Sequence, residues 1–462
     1  MVLAVTPRAD EAAWVPTRAH VGAILVALIV LPIALLARRP DVFLLAVPAT
    51  ILAAWGVATR PARTPSVRTH LSPTVVSEGG RLGWHAYVTA PAGARDVCVA
   101  VAPTPYLLPD GPPALAADVP QPTGDPEPIE LVLSLVATRW GRYEAGAAIL
   151  ALTSDLGAFR WSPGQLPDAP IIVLPSKESF TSRTGMPHPR GVIGRNRSQR
   201  RGEGSDFAAV RAYGPGDRLA RIDWRVSTRT GVLQVSAMHA DLDTQVLLVV
   251  DAFHDLGASG GIAGAASSLD TSVRAATALA EHYLRVGERV GLLVLGVSGV
   301  APVRARAGQV QFRRIRDSLA RVRPGTVFGS EDRATSALIA RIPAGAMVLL
   351  LTPGISGAAL GRASTLAASG LTVLVVDTLP RAATAPDRLS LADLDAIAPL
   401  ESARDAGVTR LAWRLRLLER QAQLDRLREN GVPIVTWVGP GSLDDVLRQL
   451  QRQARAPRMV RR

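Results

Sequence analysis

Two long apolar runs near the N-terminus constrain this chain more than any other feature. Val21 to Ala37 is apolar throughout apart from Gly22 and Pro32, and Val42 to Thr59 forms a second such run. Each lies near the lower end of the roughly 17–25 residues needed to cross a bilayer's hydrocarbon core. The link Arg38-Arg39-Pro40-Asp41 is so short that the two runs must form an antiparallel hairpin. A secretory signal peptide is the competing reading of the first run. It fails because Arg38, Arg39 and a second apolar run follow where a small-residue cleavage site would stand. Neither run has a polar face, which argues against a buried core hairpin. The lipid bilayer is therefore the first expected partner.

Flanking positive charge sets the expected orientation. Arg8 and Arg18 precede the first run, Arg60, Arg63 and Arg68 follow the second, and only Arg38 and Arg39 lie between. Five charges against two place both the N-terminus and the large C-terminal part in the cytoplasm, at a cell membrane crossed twice.

The net charge of +13 does not carry a nucleic-acid reading. Lys177 is the single lysine, and the arginines are spread along the chain. Modest clusters occur at Arg195, Arg197, Arg200 and Arg201 and at Arg452, Arg455, Arg458, Arg461 and Arg462. No aromatics interleave with either, as single-strand binding favours. Attraction to anionic lipid headgroups is the better use of such charge. The lone cysteine, Cys98, excludes an internal disulfide. It sits in Val97-Cys98-Val99-Ala100-Val101, which reads as a buried strand with Cys98 packed as a small hydrophobe.

From about Ser72 to Leu174 short alternating apolar segments are separated by Pro, Gly and Asp, among them Leu82–Val88, Val97–Ala102, Ile129–Val136 and Gly146–Leu152. Such texture predicts an antiparallel β-sandwich, with Pro103–Pro113 and Pro120–Pro128 as loops. No catalytic constellation appears there. His70 and His85 have no acidic residue at metal-ligand spacing and read as ordinary strand or surface residues.

Arg200 to Leu233 is the most informative segment. Gly214-Pro215-Gly216-Asp217 reads as a tight turn, surrounded by Arg211, Tyr213, Arg221, Asp223 and Trp224. Arginine forks match carboxylates at two points, so Arg211 or Arg221 with Asp217 or Asp223 predicts a partly buried network, and Trp224 predicts an apolar anchor beside it. The segment resembles the signature of the bacterial domain-of-unknown-function family 58. Trp140-Gly141-Arg142-Tyr143 and Ser154-Asp155-Leu156-Gly157-Ala158-Phe159 resemble that family's upstream motifs, and Ser227, Arg229, Leu233 and Val235 continue the likeness. The resemblance implies an N-terminal membrane hairpin, a C-terminal half similar to von Willebrand factor A domains, and a MoxR-type AAA+ ATPase as partner. Arg211, Tyr213, Gly216, Asp217, Arg221, Asp223 and Trp224 are the candidate site residues. They serve either as a fold-specifying polar network or as a patch that binds a ligand or partner. Arginine beside a carboxylate lowers its pKa and makes it a poor general base, so no catalytic residue is assigned.

Beyond the signature, five runs rich in Val and Leu predict buried parallel strands: Gln245–Val250, Val290–Val297, Met347–Leu351, Leu371–Val376 and Pro433–Val438. Thr271–Val286, Val310–Val322 and Ser442–Gln453 read as helices between or after them, the last with Leu443, Val446, Leu447 and Leu450 on one face. The alternation predicts an α/β fold with an open, mostly parallel sheet. The expected organisation is a tail at 1–20, a transmembrane hairpin at 21–59, a β-sandwich at 60–175, the signature segment at 176–240, a von Willebrand factor A-like domain at 241–456 and a basic tail at 457–462.

Asp251 ends the first of these strands, where open α/β sheets bind ligands. Adhesion-type domains place Asp-x-Ser-x-Ser there to hold a divalent cation through oxygens. Here Asp251-Ala252-Phe253-His254-Asp255 supplies phenylalanine for the first serine and aspartate for the second. Thr352-Pro353-Gly354 follows the strand ending at Leu351 without the carboxylate that completes such a site. No metal site and no cofactor are expected, and Asp251, His254 and Asp255 read as a cap for the following segment rather than as a transition-metal site. Gly257-Ala258-Ser259-Gly260-Gly261 lacks Gly-Lys-Ser/Thr and reads as a loop.

Three functions of different classes follow. The first is a membrane-anchored, non-catalytic interaction protein working with a cytosolic AAA+ ATPase in protein assembly or maturation. The second is a divalent-metal-dependent binder using Asp251 and Asp255. The third is a hydrolase drawing on His239, His254 and His282, without any Gly-x-Ser-x-Gly turn.

Overall fold

The computed structural model describes residues 13–101, 104–120, 127–145, 148–163, 166, 169–176, 201–214, 217, 219–239, 245–285, 287–297, 300–325, 342, 346–397 and 405–439. The chain divides into two compact units, Met1–Leu174 and Pro175–Arg462.

In the first unit the apolar runs form two helices, Arg18–Ala37 and Pro40–Ala58. Thr17 caps the first by accepting the His20 amide at 3.3 Å, and Arg38 ends it in the left-handed region at φ 49°. Both helices are long and apolar enough to cross a membrane by length and composition. Their large side chains point outward, Leu36 being 86% and Leu45 76% exposed. So wide an apolar surface has no partner in water and suits hydrocarbon. The base of the hairpin is tied down. Val15–Pro16 pairs antiparallel with Phe159–Trp161, Thr17 Oγ1 donates to the Gly157 carbonyl at 2.7 Å, and the Trp14 indole N–H donates to the Arg63 carbonyl at 3.0 Å.

Three sheets follow within this unit. Ser66–Ser72, Arg81–Thr89, Ile129–Ala137 and Leu107–Pro109 form a four-stranded antiparallel sheet. Val15–Pro16, Phe159–Trp161, Ala148–Ser154, Ala94–Val101 and Ala114–Asp118 form a five-stranded one. Val75–Ser77, Ala169–Leu174 and Gly141–Ala145 form a smaller third. Strict alternation along Arg81–Thr89 sends Leu82, Trp84, Ala86 and Val88 inward. There they share one core with Leu135, Leu150, Leu152, Trp161 and Ile171.

One expectation for this unit is corrected and one is extended. Cys98 is exposed, because its strand alternates and buries Val97 and Val99 instead. His85 does have an acidic neighbour. Strand pairing brings Glu130 to 3.0 Å from its Nδ1, while His70 stacks on its ring at 4.6 Å. Forty-five residues of separation hid that pair from a spacing argument.

In the second unit Arg201–Ala212 pairs antiparallel with Gln234–His239, and the short helix Trp224–Thr230 lies between them in sequence. The five apolar runs then become five parallel strands of one sheet. In spatial order the strands are Val303–Arg306, Arg289–Leu295, Gln245–Asp251, Met347–Thr352, Thr372–Asp377 and Ile434–Thr436. Val303–Arg306, which the sequence did not suggest, is an antiparallel edge. Burial along Gln245–Asp251 and Met347–Thr352 is nearly unbroken, as expected of strands covered on both faces. One face packs Leu247, Val249, Leu350 and Val375 against the helices Gly357–Ala368 and Asp405–Glu429, through Leu360, Ala363, Leu424 and Leu427. The helix Ser268–Arg285 packs on the central strands and on the helix Gln309–Leu319. The segment Ser442–Gln453, the basic tail 457–462 and the arginines 195, 197 and 200 lie outside the described residues.

Candidate functional site

Strand order reverses direction between Gln245–Asp251 and Met347–Thr352, the two central strands. In an open α/β sheet that reversal leaves a crevice at the strands' carboxyl ends. The last residues of both strands meet there. Thr352 Oγ1 donates to Asp251 Oδ2 at 2.5 Å, and Asp251 Oδ1 accepts the Phe253 amide at 3.1 Å. Asp251 is 1% exposed and Thr352 is fully buried. Burial raises the Asp251 carboxyl to about pH 6, against the opposing pull of the Thr352 hydroxyl and the Phe253 amide. The Thr352 oxygen in turn accepts the Gly354 amide at 2.9 Å, with Gly354 at φ 70°. A hydroxyl, not a second carboxylate, therefore faces Asp251 across the two strand ends.

The surrounding loops reinforce this arrangement. Asp255 Oδ1 accepts the Leu269 amide at 3.1 Å and so caps the helix Ser268–Arg285. Ser267 and Asp270 bond reciprocally at the same helix start, both at 3.2 Å. His254 is half-buried, and burial, then the positive charge of Arg416, lowers its pKa. Gly257–Gly261 is irregular, as expected of a loop, with Gly260 N–H donating to the Ala265 carbonyl at 2.8 Å. The next strand contributes a further carboxylate that sequence reasoning did not single out. Asp377 pairs with Arg420 at 2.5 Å, with exposures of 14% and 8%. Arg420 Nε also donates to the Pro353 carbonyl at 2.7 Å, which braces the loop after Thr352. The signal was present in the run Leu371–Val376 ending at Asp377, but its arginine lies 43 residues later on a helix that sequence patterning did not reveal.

The signature residues resolve into two distinct arrangements. Arg211 meets Asp217 at two points: Nη1 donates to Oδ2 at 2.6 Å and Nη2 donates to Oδ1. Asp217 Oδ2 also accepts the Gly214 amide at 2.9 Å, which closes the turn. The Arg211 guanidinium, then the Gly214 amide, hold the Asp217 carboxyl below the usual carboxylate range. Gly216 lies outside the described residues. Tyr213 is half-buried, and its amide donates to the Leu233 carbonyl at 2.8 Å.

Asp223 belongs to the second arrangement. It is the N-cap of the helix Trp224–Thr230, accepting the Val226 amide at 3.2 Å. Buried Ser227 joins helix to strand: its hydroxyl donates to the Asp223 carbonyl at 2.7 Å and accepts the Gln234 amide at 2.8 Å. Arg221 is half-buried on the turn Leu219–Arg221. Trp224 is not the apolar anchor that the sequence suggested, because it is 64% exposed. As the first residue of a capped helix, it is directed by the cap rather than by a hydrophobic pocket. Leu219 at 69% and Val232 at 56% share that exposure.

Residues 209–396 match the family model described as Protein of unknown function DUF58, so the resemblance read from Arg211 to Trp224 holds across the signature and most of the sheet. Among curated proteins the chain is similar to Uncharacterized protein Rv1480 of Mycobacterium tuberculosis and Uncharacterized protein Mb1516 of Mycobacterium bovis. Each is 34% identical over 110 residues, or 23% of this chain. The match spans only 33% of the length of those relatives.

Proposed function

From its place in the DUF58 family, we propose that this chain is a membrane-anchored, non-catalytic recognition protein whose partner docks on the signature segment. The carrying observation is the exposure of Trp224, Leu219 and Val232 in a segment whose backbone Arg211–Asp217 and Ser227 hold in place. An exposed tryptophan on a preorganised scaffold is the usual anchor of a protein interface. A residue serving only the fold would be buried.

The second unit is read as a von Willebrand factor A-like domain. Its strand order and, among the described residues, its one antiparallel edge strand support that reading. The crevice at Asp251 then acts as a structural lock rather than an ion site, since Phe253 brings no side-chain oxygen. The two apolar helices are read as a double membrane crossing, with the charges at Arg8, Arg18, Arg60, Arg63 and Arg68 keeping the large units on the cytoplasmic side. The partner implied by the family resemblance is a MoxR-type AAA+ ATPase, acting with this chain on the assembly or maturation of other proteins.

The test is co-purification of the full chain from detergent extracts, beside a control carrying only residues 1–60. Enrichment of an AAA+ ATPase over the control, lost on Trp224→Ala, is the expected result. Equal recovery with both baits overturns the reading.

A further inference from the structure

At the Val303–Arg306 edge of the sheet lies a cleft of about 470 Å³ between that strand and the helix Gln309–Leu319. Arg304, Arg306, Arg314 and Arg321 line it, with Asp317 as the one acidic residue among its walls. All four arginines are exposed. Among the described residues, the edge strand pairs on one side only, with Arg289–Leu295. Gln311 also lines the cleft and is 2% exposed. Its Nε2 donates to the carbonyls of Val290 and Arg304 at 2.7 and 2.8 Å, while its buried Oε1 has no hydrogen-bond partner.

We propose that this cleft binds an acidic polypeptide segment in extended form, laid along the edge strand with its carboxylates on the four guanidiniums. Three observations select a peptide over a compact anion. Arg304 and Arg306 stand two strand residues apart, about 7 Å, which is the repeat of same-face side chains in an extended chain. Arg314 lies within the helix and Arg321 two residues beyond its end at Leu319, so the helix side of the cleft carries its positive charge at two places rather than one. Among the described residues the edge strand has one side without a strand partner, where an extended peptide finds main-chain groups to pair with and a phosphate does not. Strand addition at an open sheet edge provides the main-chain pairing, and the arginine forks select carboxylates. The site is separate from the signature, so it gives the protein a second contact of defined chemistry.

Fluorescence anisotropy with the detergent-solubilised full chain tests the assignment. The probe is a labelled octapeptide of alternating glutamate and serine. The comparison ligands are the same peptide with glutamine for glutamate, sodium tripolyphosphate, and a single-stranded oligonucleotide of matched charge. The expected result is salt-sensitive binding of the glutamate peptide alone. It should weaken about tenfold in Arg304→Glu/Arg306→Glu and again in Arg314→Gln/Arg321→Gln, a loss of the size that two or more charge contacts provide. The helix variant keeps the test decisive if the strand variant misfolds. Absence of glutamate-peptide binding to the wild type, unchanged binding in both variants, or equal displacement by tripolyphosphate or the oligonucleotide would overturn the proposal.

Discussion

Thr352 and Asp251, 101 residues apart in sequence, close the carboxyl end of the central strands through one buried hydrogen bond of 2.5 Å. Among the described residues, the contact joins the only two neighbouring parallel strands that are followed in sequence by strands on opposite sides of the sheet. It places a titratable group where its protonation state bears on stability. In the unfolded chain an aspartate titrates near pH 4, whereas burial raises Asp251 to about 6. The fold therefore favours the protonated form. That contribution is complete below about pH 4 and is lost as the pH rises through about 6. Relative to Asp251→Asn, the wild type should lose up to about 3 kcal/mol between pH 4 and pH 7. Thermal unfolding of both proteins in detergent across that range checks it, and parallel curves would refute the assignment.

Divalent cations should leave the same crevice unchanged. Both oxygens of Asp251 already accept hydrogen bonds, from Thr352 and from Phe253, and Asp255 is engaged with the Leu269 amide. A hard cation would have to replace these donors without several convergent oxygens in return. Calorimetric titration of the full chain with Mg²⁺, Mn²⁺ and Ca²⁺ should give no heat at millimolar concentration, and none that differs in Asp251→Asn. A saturating isotherm abolished by that substitution would restore the metal-dependent reading.

The signature separates stability from recognition residue by residue. Ser227→Ala removes a buried hydroxyl that serves both the Asp223 carbonyl and the Gln234 amide, and should cost about 1–2 kcal/mol. Asp223→Ala removes the N-cap of Trp224–Thr230 and should cost about 1 kcal/mol. Trp224→Ala, at a side chain 64% exposed, should leave the unfolding midpoint within experimental scatter while abolishing partner capture. A Trp224 variant as destabilised as the Ser227 variant would contradict the exposed placement.

Much of this was legible in the sequence because the signals were local. Val246 to Val250 reads as a buried strand from its residues alone, and Asp251 follows as the residue that ends it. The partner of Asp251 was not legible, since pairing across the sheet depends on topology rather than spacing. The helix Asp405–Glu429 escaped notice for a different reason. Ala406, Trp413, Leu424 and Leu427 are buried, but Val408, Leu411, Leu415 and Leu418 are exposed on the same helix. Two apolar stripes blur the single-face periodicity that identifies a surface helix. Cys98 was misread because β-branched neighbours look alike in a strand covered on one face and a strand covered on both. The edge strand Val303–Arg306 is four residues long with arginine at alternate positions, too short and too polar to stand out.

Closing the turn at Gly214 depends on geometry as much as on charge. Arg211 reaches both oxygens of Asp217, and a lysine offers a single point charge instead of a fork. Arg211→Lys should therefore open the turn almost as fully as Asp217→Asn. The measurement is amide hydrogen exchange across residues 211–217, with the Gly214 amide bonded to Asp217 as the reporter. Because Arg211 depresses the Asp217 carboxyl, the wild-type protection is present above the usual aspartate range and is lost as the pH falls below it. Unchanged exchange in Arg211→Lys would show that the ion pair has no part in holding the loop.

Arg420 and Asp377 make the most demanding case for a buried charge pair. The guanidinium has two duties, the ion pair with Asp377 and the hydrogen bond to the Pro353 carbonyl beside Thr352. Arg420→Ala leaves Asp377 at 14% exposure without its cation and frees the loop after Thr352. Removing one partner of a buried pair costs about 3–5 kcal/mol, whereas replacing both with apolar groups can be nearly neutral. The double variant Arg420→Met/Asp377→Leu should therefore recover most of the stability lost in Arg420→Ala, but not the loop. Its Pro353 carbonyl still lacks a donor, so exchange at the Gly354 amide should stay fast in both variants. Chemical denaturation with residue-resolved exchange distinguishes the two effects. If the double variant restored slow exchange at Gly354, the bracing role of Arg420 would be disproved, and the Asp251–Thr352 contact would have to hold the loop alone.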